Sequence, residues 1–267
     1  MTNEARLVYR RPEVLRDLST HYCPGCGHGV IQRLLAEVMT ELDLPARTIA
    51  VAPVGCAVFI YDYLNVDFVE APHGRAPAVA TGIRRVRPDA FVLTYQGDGD
   101  LAAIGTAEIV HAAARGERIT AIFVNNGIYG MTGGQMAPTT LLGQKTTSSP
   151  SGRDAALMGY PIRITEMLAQ LPGVTYAARG TIADVAGIGK LKAMIKRACQ
   201  VQIEGGGFAI VEALSNCPVG WGMTPQESIE HLVGPVADVY PLGVIVDRGT
   251  RNDRTQIPMI VAAEPAS

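Results

Sequence analysis

Two groups of residues in this sequence have the types and spacing to do chemistry. Gln96-Gly97-Asp98-Gly99-Asp100 follows an apolar run and leads into a helical pattern, and Asn125-Asn126 closes the next apolar run. Glycines let a backbone approach phosphate oxygens closely, and a helix start favours negative charge. A carboxylate such as Asp98 supplies the hard oxygen that Mg²⁺ selects, and an asparagine amide oxygen can complete the same sphere. The second group is sulfur. Cys23 and Cys26 form a Cys-x-x-Cys ahead of a helix, while Cys56 and Cys217 each end or follow an apolar run. A Cys-x-x-Cys alone has three readings: a zinc site, a redox dithiol or an iron–sulfur ligand pair. The fifth cysteine, Cys199, lies four residues after Ile195, itself four after Leu191, on the apolar stripe of a helix. There it reads as a small core hydrophobe.

These groups need elements to position them. Residues 30 to 42 put Val30, Ile31, Leu34, Leu35, Val38, Met39 and Leu42 on one face of a helix, with Gln32, Arg33, Glu37 and Glu41 opposite. Strands are expected at 48–53, 90–95, 119–124, 174–178 and 208–214, and helices at 76–86, 101–115, 162–171 and 188–203. Strand, helix and strand at this spacing make βαβ crossovers. The expected class is therefore α/β: a mostly parallel sheet with helices on both faces, whose ligand loops lie at the carboxyl ends of the strands. No low-complexity linker or repeat divides the chain. One domain over residues 1–267 is expected, extended by the Cys-x-x-Cys segment (about 20–29) and a C-terminal tail (about 215–267).

Gly-Asp-Gly, 25 intervening residues and then Asn-Asn resembles the thiamine diphosphate-binding pattern. The resemblance implies Mg²⁺ held by Asp98, Asn126 and the carbonyl of Ile128. It also implies a diphosphate lined by Gly97, Gly99, Asp100, Gly130 and Met131. The neighbourhoods of the cysteines narrow the family. His21-Tyr22-Cys23-Pro24-Gly25-Cys26-Gly27-His28-Gly29, Pro53-Val54-Gly55-Cys56, His73-Gly74-Arg75, Tyr129-Gly130-Met131-Thr132-Gly133-Gly134-Gln135 and Asn216-Cys217-Pro218 are similar to the β subunit of 2-oxoacid:ferredoxin oxidoreductases. Overall similarity leans toward the 2-oxoisovalerate type. In that family the cysteines corresponding to Cys23, Cys26, Cys56 and Cys217 hold one [4Fe–4S] cluster near the thiamine. Val54, Gly55, Cys56 and Ala57 would line the cofactor, with His73 positioning the thiamine or its adduct. The expected reaction is CoA-acylating oxidative decarboxylation of a 2-oxoacid, with electrons passed to ferredoxin. The glutamate that activates the aminopyrimidine ring is implied on a separate α subunit. The chain is then half of a site, active only in a heteromer that can include γ or δ subunits. Two rival readings remain: a non-oxidative thiamine-dependent decarboxylase subunit, and a zinc-stabilised scaffold.

Composition agrees with a folded enzyme subunit. Apolar residues make up 48% and charged residues 18% of the chain, which excludes a disordered segment. Lys plus Arg is 23 against 25 for Asp plus Glu, so no basic excess calls for a nucleic-acid partner. Mean hydropathy is +0.17, apolar enough to expect surface covered by other subunits. The uncharged stretch 119–144 holds Asn, Gly and Pro clusters and reads as a buried strand and loop, not a membrane span. No apolar leader precedes Leu15, so a cytoplasmic protein is expected. Of the remaining candidates, His28 falls in the first turn of its helix, His111 on a helix flank, and His231 in the tail. Trp221 is positioned to cover the cluster or simply to pack.

Overall fold

A computed structural model describes residues 8–249. Nine strands are present among them: β1 (Thr48–Ala52), β2 (Asp67–Glu70), β3 (Phe91–Gly97), β4 (Thr120–Asn125), the short pair β5 (Ile128–Tyr129) and β6 (Gln135–Met136), β7 (Val174–Thr181), β8 (Phe208–Leu214) and β9 (Gly243–Asp247). Seven form one sheet in the order β2-β1-β3-β4-β8-β7-β9. All neighbours run parallel except β7 and β9. Strands β3, β4, β7 and β8 are buried almost throughout, as sheets covered on both faces require. This is the α/β class expected from the pattern.

Two cores flank the sheet. On one face the helices His28–Glu41 and Val185–Ile203 pack Ile31, Leu35, Met39, Leu191, Ile195 and Cys199 onto Leu93, Tyr95, Ile122 and Val211. On the other, Ala76–Val86, Thr106–Ala114 and Ile164–Ala169 cover Val51, Val92, Phe123 and Ile210. Gln202 reaches from its helix to where β3 overruns β4. Its amide accepts the Val92 N–H at 2.8 Å and donates to the Val92 carbonyl at 2.9 Å and Thr120 Oγ1 at 2.8 Å. The side chain thus stands in for a missing strand neighbour.

The structure departs from the sequence expectation where local signals are weak. The helix expected over 101–115 is broken. Asp98 and Gly99 are already helical, Asp100–Ile104 forms a π turn, and the α-helix restarts at Thr106. Gly105 sits at the break because a Cβ there would lie 2.6 Å from the carbonyl oxygens of both Asp100 and Gly74. Two backbones cross at these glycines, which seats the His73 loop on the start of the helix. Two edge strands were not expected: β2, mostly exposed, and the antiparallel β9 within the expected tail, whose β-branched run Val244-Ile245-Val246 is its one local signal. Residues 250–267 of that tail lie outside the described residues.

The register decides which loops meet. β1, β3, β4 and β8 are consecutive neighbours, so their carboxyl ends deliver Pro53–Ala57, Asp98–Asp100, Asn126–Ile128 and Ser215–Cys217 to one edge. Chain order turns back between β1 and β3, which makes their boundary the crevice where ligands bind in open α/β sheets. Replacing Gln202 by Leu leaves the Val92 donor and acceptor buried and unpaired. The expected cost is about 2–4 kcal/mol, read as a lower denaturant midpoint at unchanged slope.

Candidate functional site

Strand β3 runs straight into the turn that carries Asp98, whose side chain is 3% exposed. Thr139 Oγ1 donates to Asp98 Oδ2 at 2.6 Å and the Gly99 N–H to Oδ1 at 2.8 Å. No cationic side chain among the described residues is paired with it. Burial pushes its pKa up to about 6, although Thr139 and backbone N–H groups pull the other way. Such a carboxylate is a strong acceptor without a counter-charge, and a divalent cation fits it. Asn126 lies at the end of the adjacent strand, 7% exposed, and its Oδ1 accepts the Ile128 N–H at 3.3 Å. Asp98, Asn126 and Ile128 line one crevice with His28, Val54, Gly55, Cys56, Ala57, His73, Gly97, Gly99, Asp100, Gly130 and Met131. Every residue expected at the magnesium and cofactor half is therefore in one place.

Their roles within it differ. The carboxylate of Asp100 faces protein donors: Gly74 N–H at 2.9 Å, Val54 N–H at 3.3 Å, Gln96 Nε2 at 2.6 Å and His73 Nδ1 at 2.6 Å. It ties three loops together rather than offering free oxygens to the crevice. A diphosphate would repel it in any case. His73 is fixed through Nδ1, which leaves Nε2 as its other donor or acceptor. Gly99 is small for a neighbour's sake, since a Cβ there would lie 2.0 Å from the Tyr129 ring. At Gly97 a Cβ would meet open space.

Asn125 does not join Asn126. Its amide donates to Glu212 Oε1 at 2.7 Å, and Glu212, 1% exposed, also accepts from Thr165 at 2.5 Å and pairs with Arg179 at 2.8 Å. A buried ionic cluster thus braces the turn. The visible signal for it was Glu212, a carboxylate inside the apolar run of β8. Thr139, which lies far along the chain from Asp98, gave none. His28 does more than begin its helix: it is 2% exposed, lines the crevice, meets Tyr95 OH at 3.0 Å and stacks on Tyr22. Burial and His21 lower its pKa to about 4.

Cys23, Cys26, Cys56 and Cys217 line a second cavity of about 190 Å³, whose walls contain no carboxylate, lysine or arginine. Cys56, Asn126, Gly130 and Met131 belong to both cavities. Gly130 separates two sulfurs: a Cβ there would lie 3.2 Å from Cys56 Sγ and 3.4 Å from Cys217 Sγ. Burial first, then the neighbouring cysteines, raises the thiol pKa of Cys56 to about 11. Burial raises Cys217 to about 12 against a lowering hydrogen bond from Gly220. Backbone N–H groups of His28 and Met131 likewise point at Cys26 and Cys56. Among the described residues no three His, Cys, Asp or Glu side chains are grouped to hold a single metal ion. Cys199 is fully buried in the helix core, away from this cavity.

Residues 54–213 match the thiamine pyrophosphate enzyme C-terminal TPP binding domain. That range holds the Asp98 and Asn126 loops and Cys56, but not Cys23, Cys26 or Cys217. The 2-oxoglutarate synthase subunit KorB of Methanocaldococcus jannaschii is 39% identical over 217 residues, 81% of this chain and 75% of KorB. The chain belongs to the β-subunit family of 2-oxoacid:ferredoxin oxidoreductases. Another member of that family, the ketoisovalerate oxidoreductase subunit VorA of Methanothermobacter thermautotrophicus, is 43% identical over 92% of this chain, yet the chain spans only 54% of VorA. The solved 2-oxoglutarate:ferredoxin oxidoreductase from Magnetococcus marinus, with 2-oxoglutarate, coenzyme A and succinyl-CoA bound, superposes with a TM-score of 0.75 at 25% identity. The match covers 93% of this chain and 88% of that one. No helix among the described residues is long and apolar enough to cross a membrane.

For this β-family chain, Asp100→Ala should release the loops at Val54 and Gly74 and cost about 3 kcal/mol, since charged acceptors are worth about 1.5–3 kcal/mol per bond. Faster amide exchange in residues 53–57 and 73–75 than in β4 is the expected signature.

Proposed function

We propose that this chain is the thiamine diphosphate-, Mg²⁺- and [4Fe–4S]-binding β subunit of an enzyme that converts a 2-oxoacid and CoA to acyl-CoA and CO₂. The observation that carries this reading is the shared wall. A buried, uncompensated carboxylate and four thiols from three separated segments open onto adjoining cavities with Cys56 and Gly130 between them. When bound, thiamine diphosphate would supply the electron sink for loss of CO₂, and the cluster a one-electron exit.

The chain's own residues have four tasks. Asp98, Asn126 and the Ile128 carbonyl would hold Mg²⁺, and through it the diphosphate, at the β3–β4 edge. Asp100 keeps the Val54 and His73 loops closed over the crevice. His73, fixed at Nδ1, can offer Nε2 to a substrate oxygen or proton. Cys23, Cys26, Cys56 and Cys217 would hold the cluster, and the N–H groups of His28, Met131 and Gly220 stabilise thiolate charge there. The aminopyrimidine-activating glutamate, the CoA site and most of the substrate pocket are assigned to an α subunit. A branched-chain 2-oxoacid is the favoured substrate and ferredoxin the favoured acceptor.

The rivals differ in what they leave unexplained. A non-oxidative decarboxylase has no use for four cysteines around one apolar cavity. A zinc scaffold has no use for the buried carboxylate at the end of β3.

Purified without oxygen together with its α subunit, the protein should be brown, with iron and labile sulfide in equal amounts. Cys217→Ser should lose the iron and Cys199→Ser retain it. Equal loss in both, or stoichiometric zinc in the wild type, refutes the cluster assignment. Asp98→Ala should lower Mg²⁺-dependent retention of thiamine diphosphate by at least about a hundredfold in equilibrium dialysis, the loss of a direct ligand exceeding the 10–100-fold typical of residues behind one. Unchanged retention removes Asp98 as a ligand.

A further inference from the structure

The turn that carries two of the three proposed magnesium oxygens is pinned from several sides. Asn125 Oδ1 accepts the Gly127 N–H at 3.2 Å, and its amide is held by Glu212. The Gly127 carbonyl accepts from Thr140 Oγ1 at 2.6 Å. Both contacts come from within the span matched by the thiamine-binding domain. The Asn126 carbonyl is held differently. It accepts the indole N–H of Trp221 at 2.9 Å, from the segment that carries Cys217.

That segment is short and closely joined to the sulfur. Trp221 closes a single helical turn, Pro218–Trp221, by donating its backbone N–H to the Cys217 carbonyl at 2.9 Å. Between them, a Cβ on Gly220 would lie 2.8 Å from Cys217 Sγ and 3.2 Å from the Ile128 side chain. On its far side the indole meets the His231 ring edge-on at 5.0 Å. Trp221 stands just outside the cysteine cavity, whose wall ends at Gly220.

We propose that Trp221 is a positioning residue that ties the metal-bearing turn after β4 to the cysteine segment after β8. In this role one indole N–H sets the Asn126–Ile128 ligands and Cys217 relative to each other. The proposal rests on the magnesium and cluster reading given above. Removing the N–H leaves the Asn126–Gly127 peptide held only at its Gly127 N–H, by Asn125 Oδ1, which loosens the turn that presents the Asn126 amide and the Ile128 carbonyl. The loss therefore falls on metal affinity. Outer partners that orient metal ligands contribute roughly 10–100-fold to affinity.

The test uses the chain assembled with its α subunit and titrated with thiamine diphosphate at limiting and at saturating Mg²⁺. Trp221→Phe keeps the ring and removes the donor. The Mg²⁺ concentration for half-maximal thiamine diphosphate binding should rise about tenfold, within the range for outer partners of metal ligands. The difference should shrink at saturating Mg²⁺, while iron content and thermal midpoint stay near wild type. A general packing defect would lower affinity equally at both Mg²⁺ levels, and that result overturns the proposal, as does an unchanged Mg²⁺ requirement. Should the Phe variant not fold, His231→Leu loosens the indole while leaving its N–H. It should raise the Mg²⁺ requirement in the same sense by a smaller factor, and no rise overturns the proposal. A wild-type protein that binds no thiamine diphosphate at any Mg²⁺ level refutes the underlying reading instead.

Discussion

A carboxylate buried at the end of a central strand, with no cation beside it, is costly to ionise, and the architecture around Asp98 is organised by that cost. The sheet ends of β3 and β4 bring the Asn126 amide and the Ile128 carbonyl to the same edge, and Thr139 and the Gly99 N–H hold one carboxylate oxygen each. These donors offset part of the desolvation, yet the pKa still stands near 6. Under the proposed function a divalent cation would supply the remaining compensation, and an anionic diphosphate would then balance the cation. Three groups that are individually unfavourable at a buried strand end would become favourable together.

The second organising feature is that two chemically unlike cavities meet at residues too small to separate them. Gly130 leaves room for two sulfurs on one side and crevice on the other. Its successor, Met131, lines both cavities and gives its N–H to Cys56. Hard oxygen donors gather on one side of this wall and soft sulfur donors on the other, so under the proposed function each metal type would meet ligands of its own kind. The buried Arg179–Glu212–Asn125 cluster stabilises the wall from beneath, at a position where an apolar core would leave the turn free to move.

Much of this was legible in the chain. Buried parallel strands read as β-branched runs, and Phe208–Leu214 and the helix ending at Ile203 lie where the pattern puts them. The Gly-Asp-Gly and Asn-Asn loops stand out because both follow such runs. Legibility failed where a residue's role depends on a distant neighbour. Asp100 reads as a phosphate-facing acid but is claimed by donors from Val54, Gly74 and His73. Gly99 lines the crevice, and only the fold shows that its missing side chain also makes room for Tyr129. The helix after Asp100 breaks because the His73 loop crosses it at Gly105, and local helix propensity carries no trace of that crossing.

From the sequence by itself come the alternation of strands and helices, the candidates for hard-oxygen and sulfur donors, and the separation of Cys199 from the other four, because periodicity and residue chemistry are local properties. Only the tertiary structure decided that β1, β3, β4 and β8 lie side by side, that Trp221 reaches Asn126 instead of the cysteine cavity, and that Cys56 stands in both cavities. Strand order and loop contact join residues up to two hundred positions apart, as Asn216 and the Gly25 carbonyl are joined at 2.9 Å. Which of many compatible pairings forms is settled by the summed burial of both sheet faces, a quantity that belongs to the whole chain and to no single segment of it.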